Sequence, residues 1–115
     1  MLRISSSLAP DVEDLAHRIE RAYHRAVCIE LKTVGISFER EKLCPILYRG
    51  KVLYTHRLDL VVGGQILVEL EAVERLHDVH RAQVISCLRV STLKLGLLIN
   101  FNVPVLVQGI RRIVL

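Results

Sequence analysis

The chain has 115 residues, 51% of them hydrophobic, with 16 basic and 12 acidic side chains and a net charge of +4. That apolar content excludes a disordered chain, and no apolar run approaches the roughly 20 residues needed to span a bilayer. The positive balance permits a polyanionic partner without requiring one. With two Phe, three Tyr and no Trp, aromatics argue against a stacking platform for single strands. Met1-Leu2-Arg3-Ile4-Ser5-Ser6-Ser7 lacks the apolar block of a secretory signal, so a cytoplasmic protein is expected. Cys28, Cys44 and Cys87 are odd in number and widely spaced, which fits reduced core thiols better than a disulfide framework or a metal knuckle.

The whole chain, 1–115, reads as a single domain, with 1–9 as a flexible N-terminus. From about Pro10 to Val34 the pattern is one long helix. Pro10 suits its first turn, and Asp11, Glu13 and Asp14 suit the positive end of its dipole. Val12, Leu15, Ile19, Ala22, Ala26 and Ile29 recur at helical spacing, and Gly35 ends the helix. Ile36 to Tyr48 contains a first strand, with a break expected near Cys44-Pro45. Val52 to Val62 and Gln65 to Val73 are the second and third strands. Asp78 is placed to cap a second helix with Val79, Ala82, Ile85 and Leu88 on its inner stripe. Leu95 to Phe101 reads as a buried strand, and Gly109 to Leu115 as a short last strand or a tail. The order α-β-β-β-α-β predicts an α/β sandwich with a mixed sheet, the last strand entering beside the third by a crossover.

The run from Arg57 to Glu71 carries the chemistry. Asp59, Glu69 and Glu71 interrupt otherwise apolar strands around Gly63-Gly64. A buried carboxylate needs a partner or a metal. If the turn comprises Gly63, Gly64 and Gln65, Val62 pairs with Ile66 and Asp59 falls opposite Glu69, close enough for one cation to bridge. A two-residue turn would place Asp59 opposite Val68, facing away. Oxygen ligands with room for water suit Mg²⁺ or Mn²⁺. Arg57 shares a strand face with Asp59. The bland alternatives are a solvated acidic face, and an ion pair from Glu71 to Arg57 or Arg75. His80, Gln83 and Cys87 form one stripe of the second helix, a face bordering the cleft rather than a zinc site.

The blocks Glu20-Arg21-Ala22-Tyr23, Gly35-Ile36-Ser37-Phe38-Glu39, Arg57-Leu58-Asp59-Leu60, Val68-Glu69-Leu70-Glu71-Ala72-Val73-Glu74, His80-Arg81-Ala82-Gln83 and Gly96-Leu97-Leu98-Ile99-Asn100-Phe101-Asn102 follow one another in this order. Together they resemble the PD-(D/E)xK nuclease superfamily, and within it the GxxExxY branch. The resemblance implies a PD-(D/E)xK-like fold and a metal-dependent nuclease acting on DNA or RNA. Asp59 and Glu69 would bind Mg²⁺ or Mn²⁺ with help from Glu20. Glu71 would act as base or second ligand, and Gln83 would orient water or substrate. Tyr23, Arg57 and His80 are supporting candidates. The chain departs from the pattern at His17, where a glycine is expected, at Cys87, where a tyrosine is expected, and at Glu71, which replaces the motif lysine. A glutamate can serve as a base but brings no positive charge. The alternative is an inactive module of this fold that binds nucleic acid or a protein partner, with a homodimer as one way to complete its surface.

Overall fold

The computed structural model describes residues 9–115, with side chains from Arg18 onward. The expected flexible N-terminus lies outside the described residues, apart from Ala9. That residue opens the first helix, α1 (Ala9–Thr33). Gly35 closes it at φ 77°, and the N–H groups of Gly35 and Ile36 return to the carbonyls of Lys32 and Leu31 at 3.1 and 2.9 Å. This is the left-handed stop that glycine permits without a Cβ penalty.

Four further elements follow the expected order: β1 (Phe38–Tyr48), β2 (Lys51–Val62), β3 (Ile66–Glu71) and α2 (Asp78–Ser91). Strand β4 (Leu95–Asn100) then pairs in parallel with β3, and a 3₁₀ turn leads into β5 (Ile110–Val114). The sheet order is β1-β2-β3-β4-β5, antiparallel except at β3–β4. One helix covers each face, because the central strands carry apolar residues on both sides. Val27, Cys28 and Leu31 of α1 pack with Leu60, Val68 and Leu70, while Val84, Cys87 and Leu88 of α2 pack with Leu58, Leu67, Leu98 and Ile113. All three cysteines are free and buried. No helix among the described residues is long and apolar enough to cross a membrane.

Three details differ from the sequence pattern. The break expected at Cys44-Pro45 is absent, since Pro45 pairs with Thr55 on an edge strand, where a missing N–H faces outward. Leu88 and Ile85 pack inward on α2 as expected, joined by Val84 and Cys87, while Val79 and Ala82 are exposed and Asp78 follows the N-cap residue His77. Ala22, Ala26 and Ile29 of α1, which share helical spacing, are exposed, and the packed face is the one through Val27 and Leu31.

The feature that shapes the site is a change of face. Phe38, Leu60 and Val62 look toward α1, but Cys44, Ile46 and Leu58 look toward α2, although all six are even-numbered. A regular strand would keep them on one side. Both strands therefore reverse parity at one level. There Glu41 adopts φ 54°, and neither the β1–β2 nor the β2–β3 ladder pairs Asp59.

The hairpin register is the three-residue one: Val62 pairs with Ile66, Val61 with Leu67 and Leu60 with Val68. Gly63 and Gly64 hold it at φ 60° and 67°, with open space where a Cβ would stand. Gly63→Ala and Gly64→Ala should each lower stability by about 1 kcal/mol through backbone strain alone. Urea unfolding monitored by circular dichroism checks this.

Candidate active site

Beyond Leu60 and Val68 the backbone pairing of β2 and β3 stops, and two carboxylates take over. Glu69 Oε1 accepts the Asp59 N–H at 3.1 Å, and Asp59 Oδ2 accepts the Leu70 N–H at 2.7 Å. Each acid thus satisfies a backbone donor on the opposite strand that the sheet has left unpaired. Asp59 and Glu69 lie close together, but through bonds to each other's backbone and not as the directly opposed strand pair expected, and the bend aims their carboxylates differently. Asp59 opens into a cleft of about 220 Å³ on the α1 side, which it lines with Glu20, His24, Arg21, Arg57 and Glu41. Glu69, only 6% exposed, reaches His56, whose Nε2 donates to Oε2 at 3.3 Å.

His56 was not among the residues singled out from the sequence. It sits on the α2 face because β2 has already reversed parity. Gln83 of α2 donates to its Nδ1 at 2.9 Å and to the Tyr54 hydroxyl at 3.4 Å. A chain Tyr54–Gln83–His56–Glu69 results. Gln83 therefore touches the site through His56. The hydrogen bond to Glu69 and the surrounding acids raise the His56 pKa, against the opposing effect of burial. Protonation requires the Gln83 amide to turn so that its oxygen meets the new Nδ1–H. Only a reversal of strand parity brings a side chain three positions before Asp59 to Glu69, and no local residue pattern announces it.

The remaining candidates divide. Glu20 is half-buried on α1, and its charge is felt at both Asp59 and Glu71. His24, one turn on, donates from Nε2 to the Asp59 carbonyl at 3.3 Å. Arg57 lines the cleft, but its guanidinium pairs with exposed Glu41 at 3.3 Å, not with Glu71. His80 accepts the His77 N–H through Nδ1 at 2.9 Å and so serves the N-terminus of α2. Tyr23 stacks on Phe101 with ring centroids 4.3 Å apart. Asn100, 3% exposed, was noted only within a sequence block. It accepts the Val73 N–H and donates to the Val73 carbonyl, at 3.0 and 2.9 Å. The signal for it was a lone amide ending an apolar strand, which must find partners.

Charge crowding is the site's electrostatic signature. Burial first, then Glu69, push Asp59 up to about 6; burial, Glu20, Glu69 and Asp59 push Glu71 up to about 7. No ion pair or hydrogen bond holds the Glu71 carboxylate among the described residues. The cluster is thus short of positive charge, and its donors are hard oxygens, which fits Mg²⁺ or Mn²⁺. As the side chains stand, no three His, Cys, Asp or Glu among the described residues are gathered to hold an ion. Ligation would therefore require the Asp59 and Glu69 carboxylates to share or leave their backbone donors.

A family model described as the PD-(D/E)XK nuclease superfamily matches residues 16–113, nearly the full chain. The chain belongs to the PD-(D/E)XK nuclease superfamily. No curated protein and no solved structure matches it significantly. Members of the superfamily generally use divalent metals. Asp59 lies on β2, and Glu69 and Glu71 lie on β3, inside the matched span.

The raised carboxylates give a pH signature. Their folded pKa values of about 6 and 7 exceed the ordinary 3.8 and 4.5, so the metal-free fold binds the extra protons. Stability is then greatest below pH 4 for these groups and falls as pH rises to about 7. The raised His56 adds a loss in the same direction through neutrality. Thermal unfolding without metal should therefore shift downward between pH 5 and 8, and Glu71→Gln should flatten that slope.

Proposed function

We propose that the protein is a Mg²⁺- or Mn²⁺-dependent nuclease that hydrolyses phosphodiester bonds in DNA or RNA. The observation that supports this best is the unneutralised carboxylate cluster where β2 and β3 separate. Asp59 and Glu69 would hold the metal, with Glu20 closing the site from α1. When bound, the ion polarises a phosphate oxygen and lowers the pKa of an attacking water. Glu71, displaced to about 7, can accept a proton from water near neutral pH. Gln83 fixes the His56 ring against Glu69. Arg18, Arg21 and Arg25 line one hollow of α1 beside the cleft, a basic stripe suited to phosphates. Placement in the GxxExxY branch is the finer part of this reading and rests on the Glu20-Arg21-Ala22-Tyr23 block.

A second reading has its own observation. Ala22, Ala26, Ile29, Val34 and Ile36 leave an exposed apolar stripe at one side of α1 and its C-terminus. That favours a module that docks to a protein partner or to a second copy, with catalysis lost at Glu71.

Plasmid, linear DNA and RNA incubated with Mn²⁺ separate the two. The nuclease reading expects cleavage that disappears in Asp59→Ala. No cleavage above that control with any divalent metal sinks it. Isothermal titration of Mn²⁺ should show binding that Asp59→Ala and Glu69→Gln abolish. Glu71→Gln should slow cleavage by about a hundredfold and remove the acid limb of its pH profile. A Mn²⁺ isotherm weakened in the same variant would instead mark Glu71 as a ligand.

A further inference from the structure

Beside the carboxylates lies a second hollow of about 310 Å³, lined by Ile19 and Tyr23 of α1, Ala72 after β3, and Phe101 and Asn102 after β4. Two of the chain's five aromatic residues meet there. Tyr23 and Phe101 stack with planes 5° apart. Burial accounts for Phe101, which packs into the α1-side core, but not for Tyr23, still 37% exposed, or for Ile19, 42% exposed. A flat aromatic pair with an exposed apolar neighbour is a surface on which another flat, apolar-faced group can lie.

The hollow is built on fixed backbone. The Phe101 N–H donates to the Glu71 carbonyl at 2.8 Å, and the buried Asn100 amide grips Val73 while its oxygen also accepts the Asn102 N–H at 3.2 Å. These bonds tie together the carboxyl ends of the two parallel strands, where open α/β sheets place ligands. Asn102, exposed at the rim, offers an amide able to donate and accept.

Helix α1 sets the hollow's relation to the acids. At 3.6 residues per turn, Glu20 and His24 lie along its inner edge, with Ile19 and Tyr23 on one flank and Arg21 and Arg25 on the other. Ala72 directly follows Glu71. An acid cluster for a phosphate is thus flanked by an aromatic hollow on one side and guanidinium groups on the other.

We infer that this hollow receives one nucleobase of the strand whose phosphate sits at the carboxylates, with Tyr23 as the stacking residue. The inference rests on the nuclease reading, and adds to it that the enzyme engages an unstacked base next to the bond it cuts. A single pocket needs no extended aromatic platform, so the scarcity of aromatics is no obstacle.

The test compares an ordinary short single strand with a wholly abasic chain of equal length, by fluorescence anisotropy with a divalent cation present. The base-bearing strand should bind about tenfold more tightly or better. Tyr23→Ala should erase that preference, and Tyr23→Trp, checked for folding by circular dichroism, should keep it. Equal binding of the two strands, or a preference that survives Tyr23→Ala, overturns the pocket while abasic binding and cleavage leave the nuclease reading intact. If neither strand binds and nothing is cleaved, the nuclease reading fails by itself. Nucleoside monophosphates titrated against the Tyr23 ring resonances then decide the pocket: a saturable shift upholds it, and unmoved resonances overturn it.

Discussion

Everything distinctive in this molecule depends on two carboxylates standing in for a sheet ladder. Where β2 and β3 part, Asp59 and Glu69 each accept a backbone N–H from the opposite strand. Without them the split would leave two part-buried donors unpaired, a penalty on the scale of a lost hydrogen bond for each. With them the strands can diverge, β2 can reverse parity, and His56 can turn toward Glu69. The same interaction that permits the cleft also places acid at its floor. Structure and chemistry are therefore drawing on the same side chains, and a cation arriving there must compete with the backbone.

The electrostatics follow from that economy of parts. Glu71 adds a third acid beside Asp59 and Glu69, and the fixed positive charges lie outward of it. Arg57 leans to Glu41, and Arg21 and Arg25 lie along a helix flank. His56 is bonded to the Glu69 carboxylate, while His24 reaches only the Asp59 main-chain carbonyl. A metal-free molecule relieves the crowding by keeping its protons to higher pH, Asp59 to about 6 and Glu71 to about 7. A polyphosphate alone would meet repulsion there, so under the proposed nuclease function substrate and cation would enter the site as interdependent ligands.

Much of the architecture was legible in the sequence. Helix periodicity, the Gly35 stop, the Gly63-Gly64 turn and the parallel entry of β4 beside β3 all express local chemistry or a topological rule. The turn register follows from Val62 meeting Ile66, and it brings Asp59 and Glu69 to the same level although the ladder stops at Leu60 and Val68. What stayed hidden is non-local. The parity reversal at Glu41 and Asp59 involves two strands bending together, so His56 and Gln83 could not be linked by alternation. Ala22, Ala26 and Ile29 kept helical spacing yet face outward, because periodicity specifies a stripe without specifying which stripe meets the sheet. Asn100 gave a visible signal, an amide in a buried strand, but its partner Val73 lies 27 residues away.

The outer half of the β1–β2 hairpin has a different standing. Beyond Ile46 and Tyr54 its register slips by one residue, and Leu47, Tyr48, Val52 and Leu53 are exposed, Leu53 to 64%. Its turn at Arg49 and Gly50 uses two left-handed residues. Length can therefore be added or removed at this tip without disturbing the buried layers or the acids at the other end of the strands. For the experimenter the tip is a natural seat for a tag or fluorophore; for lineages diverging on this scaffold, it is the place where insertions encounter the least resistance.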